Sequence, residues 1–253
     1  MTPLAIARIT FKEALRDKLL HIAALFGALM IGLTLLLGGL SAGSDLKIIQ
    51  DFGLGTINGL LILLAVFLGS RLISRDLEQR IVYTLLSKPI TRGQFLTGKF
   101  LGCSAALLCL LGLLGLLFYA LMLVITRRFE PIYLGPMALF GLEAMVMLGL
   151  TMLFTTMTSP MLSILYAVGF YALGHGSEII KQFGEKADPL AKSVSTLIYY
   201  GLPNLETFNL KNQVVYGETL ALGQWAWAIA YGLCLIVVLL TLANLIFARK
   251  ELP

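Results

Sequence analysis

Charge is what this sequence has least of. Only 13% of its 253 residues are charged, against about a quarter in an ordinary soluble domain, while 58% are hydrophobic. A chain so poor in charge cannot keep a soluble surface, and it reads as an integral membrane protein. It is equally poor in the residues of polar chemistry. Two histidines, His21 and His175, do not supply a grouping of nucleophile, base and orienting residue. The three cysteines, Cys103, Cys109 and Cys234, are odd in number, lack CxxC spacing and sit inside hydrophobic runs, so they read as small apolar side chains. No internal repeat marks an inverted-repeat transporter. The net charge of +5 does not indicate a nucleic-acid partner, because the basic residues cluster beside the hydrophobic runs.

What is present is a succession of apolar runs. Several approach or exceed the roughly 20 residues that cross a hydrocarbon core as a helix, far longer than the roughly 10-residue alternating strands of a membrane barrel. Spanning segments must also satisfy their own backbone groups. The expected fold is all-α, a polytopic membrane protein with six transmembrane helices at 19–40, 52–73, 100–125, 132–157, 161–180 and 225–247. An interfacial helix is expected over 2–18, with Leu4, Ala7, Phe11, Ala14 and Leu15 on one face and Arg8 and Lys12 at the headgroup boundary. Its acidic residues and the absence of a following A-x-A site argue against a cleaved signal peptide. A polar loop is expected at 41–51, and Gly55 with Gly59 offers a small-residue seam for a neighbouring helix. Region 181–224 is polar, with apolar patches such as 194–202 that suit partial re-entrant or interfacial helices, and Trp225 with Trp227 anchors the last span at the interface.

An even number of spans puts both termini on one side, and charge selects it. Arg8, Lys12, Arg16 and Lys18, the basic residues of 71–99, and Arg249 with Lys250 fall on that side. The other side carries Lys47, the discordant Arg127–Arg128 pair and lysines of a long loop, where charge orients weakly. Both termini are therefore expected to be cytoplasmic.

The long polar interruption at 74–99, SRDLEQRIVYTLLSKPITRGQFLTGK, is the expected working end. Leu77, Ile81, Leu85 and Leu86 recur at helical spacing, predicting a short amphipathic helix over 77–87. Pro89 ends it, and Thr91 caps a second helix starting at Arg92. Gly93 to Phe100 imitates a phosphate-binding loop, but Phe100 replaces the magnesium-binding Ser/Thr, and the segment follows a proline-broken helix, not a strand. The acidic pair Asp76 and Glu78, then Leu85–Leu86, Pro89, Ile90, Thr91, Arg92 and Gly98–Lys99, resembles the cytoplasmic coupling segment of ABC-2 type export permeases. Gln79 and Arg80 stand where many members have Gly-Thr.

The resemblance implies the membrane-spanning permease subunit of an ATP-driven ABC exporter, in a plasma (inner) membrane of bacterial type. It implies an elbow helix at the N-terminus and a coupling-helix hairpin at 74–99. Its implied partners are a separate ABC ATP-binding subunit, a second copy or related permease as dimer, and membrane lipid. No cofactor or metal is expected in this chain, ATP and Mg belonging to the partner, which would supply the hydrolysis. Arg75, Asp76, Glu78 and Arg80 would contact that partner, and Pro89 and Arg92 would fix the hairpin's shape. A Leu-rich interior suits lipid-like or amphipathic cargo.

Within the spans, Glu143 is the most conspicuous residue, because a carboxylate at bilayer depth is costly unless paired, protonated or facing water. It is a candidate for the translocation path, with Asn58, or else a carboxyl satisfied by a neighbouring helix; interhelical hydrogen bonding also suits Asn58 and Asn244. The methionines between 137 and 161 tempt a soft-metal reading, but they spread around the helix and read as core filler. Two other classes remain open: a proton-coupled secondary transporter using Glu143, and a non-transporting membrane scaffold.

Overall fold

A computed structural model describes residues 3–38, 45–78, 91–128, 130–185, 192–193, 195–196, 202–211 and 222–249. The regular elements there are α1 (Pro3–Leu15), α2 (Lys18–Gly38), α3 (Asp45–Glu78), α4 (Arg92–Thr126), α5 (Leu134–Met157), α6 (Pro160–Glu185) and α7 (Leu222–Arg249), with 3-10 turns at Pro131–Tyr133 and Leu205–Phe208. Four of the helical segments are long and apolar enough to cross a membrane, within α3, α4, Pro131–Met157 and α7, and a fifth is added if the bent pair α1–α2 is one span. The chain is thus all-helical among its described residues, with four to five apolar spans of this kind. Ser163, His175 and Ser177 dilute the apolar run of α6, which is nonetheless of spanning length.

The expected boundaries shift where polar residues extend a span. The expected loop at 41–51 is helical from Asp45 onward, because Asp45, Lys47, Gln50 and Asp51 fall in the first turns of α3 and no proline or glycine there breaks a helix. At its other end α3 runs through Ser74, Arg75, Asp76 and Glu78, past the expected end at 73. Helix α4 begins at Arg92, eight residues before the apolar run, on a capping box in which Thr91 Oγ1 accepts from Gln94 N at 3.2 Å and Thr91 N donates to the Gln94 side chain. With 34 and 35 residues, α3 and α4 are each roughly 50 Å long, well beyond a hydrocarbon core of about 30 Å. The remainder of the expected 77–87 helix lies outside the described residues.

Helix α5 is the central element. Over its spanning window 72% is buried, against 28% for α4 and 22% for α7, whose outward faces carry leucines and valines suited to lipid. Phe140, Ala144, Met147 and Leu148 of α5 meet Leu61, Leu64, Ala65 and Leu68 of α3 in a continuous core. Hydroxyls within that core return to the helix backbone, Thr151 to Met147 O at 2.8 Å and Thr155 to Thr151 O at 2.7 Å. Met137, Met147 and Met152 are buried while Met157 and Met161 are exposed, so the methionines do not gather on one face.

Helix α1 lies against α4 through Ile6, Ala7, Thr10 and Ala14. This face is rotated from the expected one, leaving Leu4 74% exposed. The cause is glycine: a Cβ on Gly98 would stand 2.7 Å from Ile6 Cβ, and one on Gly102 2.6 Å from Ala7 O and from Thr10 Cβ. These two glycines, four residues apart, form the close small-residue seam of the molecule's charged end. At the expected pair, by contrast, among the described residues Gly59 has open space before it and Gly55 meets only Lys211 Nζ, at 3.5 Å.

Candidate functional site

One set of candidate residues gathers where α1, α3, α4 and α7 end together. Glu13, in the last turn of α1, points one carboxylate oxygen at Arg75 of α3 and the other at Lys99 of α4, the latter at 3.2 Å. Lys99 is buried, 4% exposed, so its ammonium needs such a partner. Asp17 caps α2 by accepting from Leu19 N at 2.9 Å and also meets Arg71 Nη1 at 3.3 Å. Arg92 donates to the carbonyls of Phe247 and Ala248 at 2.9 and 3.3 Å, and its guanidinium lies 5.9 Å from the Phe247 ring centroid. The last carbonyls of a helix have no partner within it, so this arginine closes the end of α7.

Glu13 thus joins the two legs of the segment 74–99, and Arg92 ties its outgoing leg to the last helix. Asp76 and Glu78 fall in the final turn of α3, while Arg80 and Pro89 lie outside the described residues. The residues resembling a phosphate-binding loop, Gly93 to Phe100, form the first turns of α4, with the lysine ammonium on Glu13. Glu13 was not singled out from sequence. Its signal was a carboxylate near a helix end at the mouth of a basic segment, which does not reveal which cation it meets.

The second set lies inside the bundle. Glu143 of α5 is fully enclosed, 0% exposed, and accepts from Asn58 Nδ2 of α3 at 3.2 Å on one oxygen. Its other oxygen lies 2.8 Å from His175 Nε2 of α6. His175 Nδ1 in turn lies 2.8 Å from Glu206 Oε2, on the Leu205–Phe208 turn. Asn209 Nδ2 donates to the second Glu206 oxygen at 2.9 Å, and Asn204 Oδ1 caps the turn by accepting from Glu206 N at 3.1 Å. An imidazolium donates from both nitrogens, the form that suits a ring with a carboxylate at each. The Tyr171 ring stands edge-on to the imidazole, centroids 4.6 Å apart.

The turn itself is seated by packing. Leu205 and Phe208 are buried, Leu205 against Gly174 and Phe208 stacked on Tyr231, whose hydroxyl accepts from Asn204 N at 2.8 Å. The carboxyl of Glu206 is held below the ordinary carboxylate range by its bond to His175, against the upward effect of burial and with help from Asn209 and the Lys211 charge. Near the turn, Lys211 Nζ meets Asp51 Oδ1 at 3.2 Å. Glu143 and Asn58 are therefore brought together, enclosed and hydrogen-bonded. The partner of Glu143 was countable in the sequence: α5 and α6 are antiparallel across a two-residue turn, Glu143 lies 14 residues before Met157 and His175 lies 15 after Pro160 (157 − 143 and 175 − 160). Counts from one turn that differ by a single residue mean nearly equal depth. Among the described residues no cluster of His, Cys, Asp and Glu side chains is arranged to hold a metal ion.

Long apolar helices around a core with a few paired ionic groups, and a charged end where helix termini converge, define an integral membrane protein of helical bundle type. Membership is more specific than that. The chain belongs to the ABC-2 transporter family: the model of the ABC-2 family transporter protein matches residues 4–252, nearly its whole length. It is accordingly a membrane permease component of an ABC transporter. No curated protein matches the chain.

Proposed function

We propose that this chain is the membrane-spanning permease subunit of an ATP-driven exporter, crossing the membrane six times with both termini in the cytoplasm. A separate ATP-binding subunit docks at the segment 74–99, and ATP with Mg resides in that subunit. Two copies, or this chain and a related permease, enclose the path. The observation that carries the reading is the joining of both legs of that segment to α1 through Glu13, in a chain of the ABC-2 family. A segment whose two legs are continuous with spanning helices and fastened to each other suits the transmission of force from a docked subunit. Arg75, Asp76, Glu78 and Arg80 supply polar contacts to the partner, while Pro89 and Arg92 fix the shape.

The test is purification of the tagged chain in mild detergent, with quantification of any co-purifying P-loop ATPase. Near-equal amounts are expected from the wild type, with loss of most of the ATPase when Asp76, Glu78 and Arg80 are changed together to Ala. A pure permease with no ATPase, under conditions that preserve known complexes, would overturn the reading. A proton-coupled secondary transporter is then the next reading, favoured by one observation: the carboxylate–imidazole–carboxylate series at Glu143, His175 and Glu206. A non-transporting scaffold would tolerate changes at both sites.

A further inference from the structure

The polar groups between α3, α5, α6 and the Leu205–Phe208 turn form a graded series. Side-chain exposure falls from 52% at Asp51 and 37% at Glu206, through 25% at Lys211 and 20% at His175, to 0% at Glu143. From Glu206 inward the series is continuous by direct hydrogen bonds, so it needs no water. Asp51, Gly55 and Asn58 share a face of α3 at steps of four and three residues, and Gly55 leaves space for the Lys211 ammonium beside it.

At the inner end stands an unmet acceptor. Asn58 is 8% exposed, its Nδ2 donates to Glu143, and its Oδ1 is buried with no hydrogen-bond partner among the described residues. A primary amide can serve a carboxyl group in either protonation state: its NH2 donates to the carboxylate, and after rotation its oxygen accepts from the protonated acid. Placing such an amide against an enclosed glutamate, with one acceptor idle, fits a carboxyl that gains and loses a proton in place.

We propose that Glu143 is a proton-binding site charged from the end of the bundle that carries Glu206, with His175 as the relay and Asn58 as the amide serving both states of the acid. The groups facing the relay are Asn58 from α3, Tyr171 from α6 itself, Asn209 and, next to it, Lys211 from the turn segment, and Tyr231 of α7 through Asn204. In the resting state the imidazolium is held between two carboxylates. A proton arriving from water forms an O–H bond on Glu206 and removes one of the two charges that hold the imidazolium. The Nε2–H bond then breaks and the proton passes to Glu143 Oε1. The ring is left neutral with its proton on Nδ1, Glu206 holds the arriving proton, and Glu143 holds the delivered one. One proton has entered, and nothing is oxidised or reduced. This inference does not depend on an ATP-binding subunit.

The experiment is pH-difference infrared spectroscopy of the purified full chain in lipid bilayers, with the proton as the only probe. Wild type is expected to show an acid-induced C=O stretch of a buried protonated carboxyl, lost in Glu143→Gln. Glu206→Gln alters the more exposed of the two carboxyls that flank His175 and should leave that band in place but displace its pH midpoint by about one unit or more, a tenfold change in proton affinity. Amide I bands and gel filtration report folding of both variants. An unchanged carboxyl band in Glu143→Gln overturns the site. A band lost in Glu143→Gln with a midpoint unmoved in Glu206→Gln overturns the route. If Glu143→Gln fails to fold, Asn58→Leu replaces it: a band with unchanged frequency there would overturn the role of the amide and the proposal with it.

Discussion

Glu206 joins a helical bundle to a segment outside the apolar spans, and its protonation should therefore be felt locally. Its carboxyl pKa lies lower in the folded chain than in the unfolded one, chiefly because His175 bonds the charged form. A depressed carboxyl contributes stability that is complete above the unfolded value, about 4.3 for Glu, and is lost as pH falls from there through the folded value. Amide exchange at Asn209 and Leu210, whose N–H groups bond Glu206 O and Phe208 O, should therefore accelerate several-fold below about pH 4 after correction for intrinsic rates. In Glu206→Gln that acceleration should be absent. Equal acceleration in both would show that another group holds the turn. Glu143 was legible in the sequence because a lone acid in an apolar run has no local explanation; His175 was not singled out as its partner, although counting along two antiparallel helices places it at nearly the same depth. Glu206 was not legible. Its position depends on how a polar segment with no periodicity folds back on the bundle, which is decided by the burial of Leu205 and Phe208 and not by any pattern around Glu206 itself.

At the scale of elements, the contact of α1 with α4 rests on two missing side chains. Gly102→Leu should push α1 away from its seat, since even the first carbon would stand 2.6 Å from Ala7 O, and overpacking of this kind costs about 1–3 kcal/mol. Labelling of a cysteine placed at Ile6, buried in the intact chain, should rise several-fold in that variant, and Gly59→Leu, facing open space, should leave it unchanged. No change with Gly102→Leu would mean that α1 is held by its ionic contacts alone. The helices themselves were legible from apolar length, and the start of α4 from Thr91. The wrong glycine pair stood out because Gly55 and Gly59 lie within an apolar run, whereas Gly98 and Gly102 flank a charged lysine. The first turns of α3 were misread for a related reason: Asp45, Lys47, Gln50 and Asp51 are polar, but polarity alone does not break a helix.

For the molecule as a whole, the contacts sort the chain into two ends. Glu13, Arg75, Lys99, Arg92 and Phe247 meet at one, while Gln50 donates to Tyr133, itself bonded to Glu130, at the other, with Asp51 and Lys211 beside His175 and Glu206 on the same side of the bundle's middle. With the first end cytoplasmic, a cysteine replacing exposed Arg127 in a cysteine-free background should react with an impermeant maleimide added to intact cells, and one replacing Arg249 should react only after lysis. The reverse pattern would invert the orientation assigned from basic residues.

The length of α3 and α4 has a mechanical consequence. Each is an unbroken rod of roughly 50 Å set in an apolar layer of about 30 Å, so each has an outboard arm that is stiff and continuous with its buried part. Because Glu13 clasps the arms to one another, they tilt as a pair. A sideways push of a few ångströms on the arms would swing the opposite ends of the rods the other way, and Asn58 rides on one of those rods. In the proposed reading, the amide bonded to Glu143 is thus on the load side of a lever whose handle is the segment 74–99.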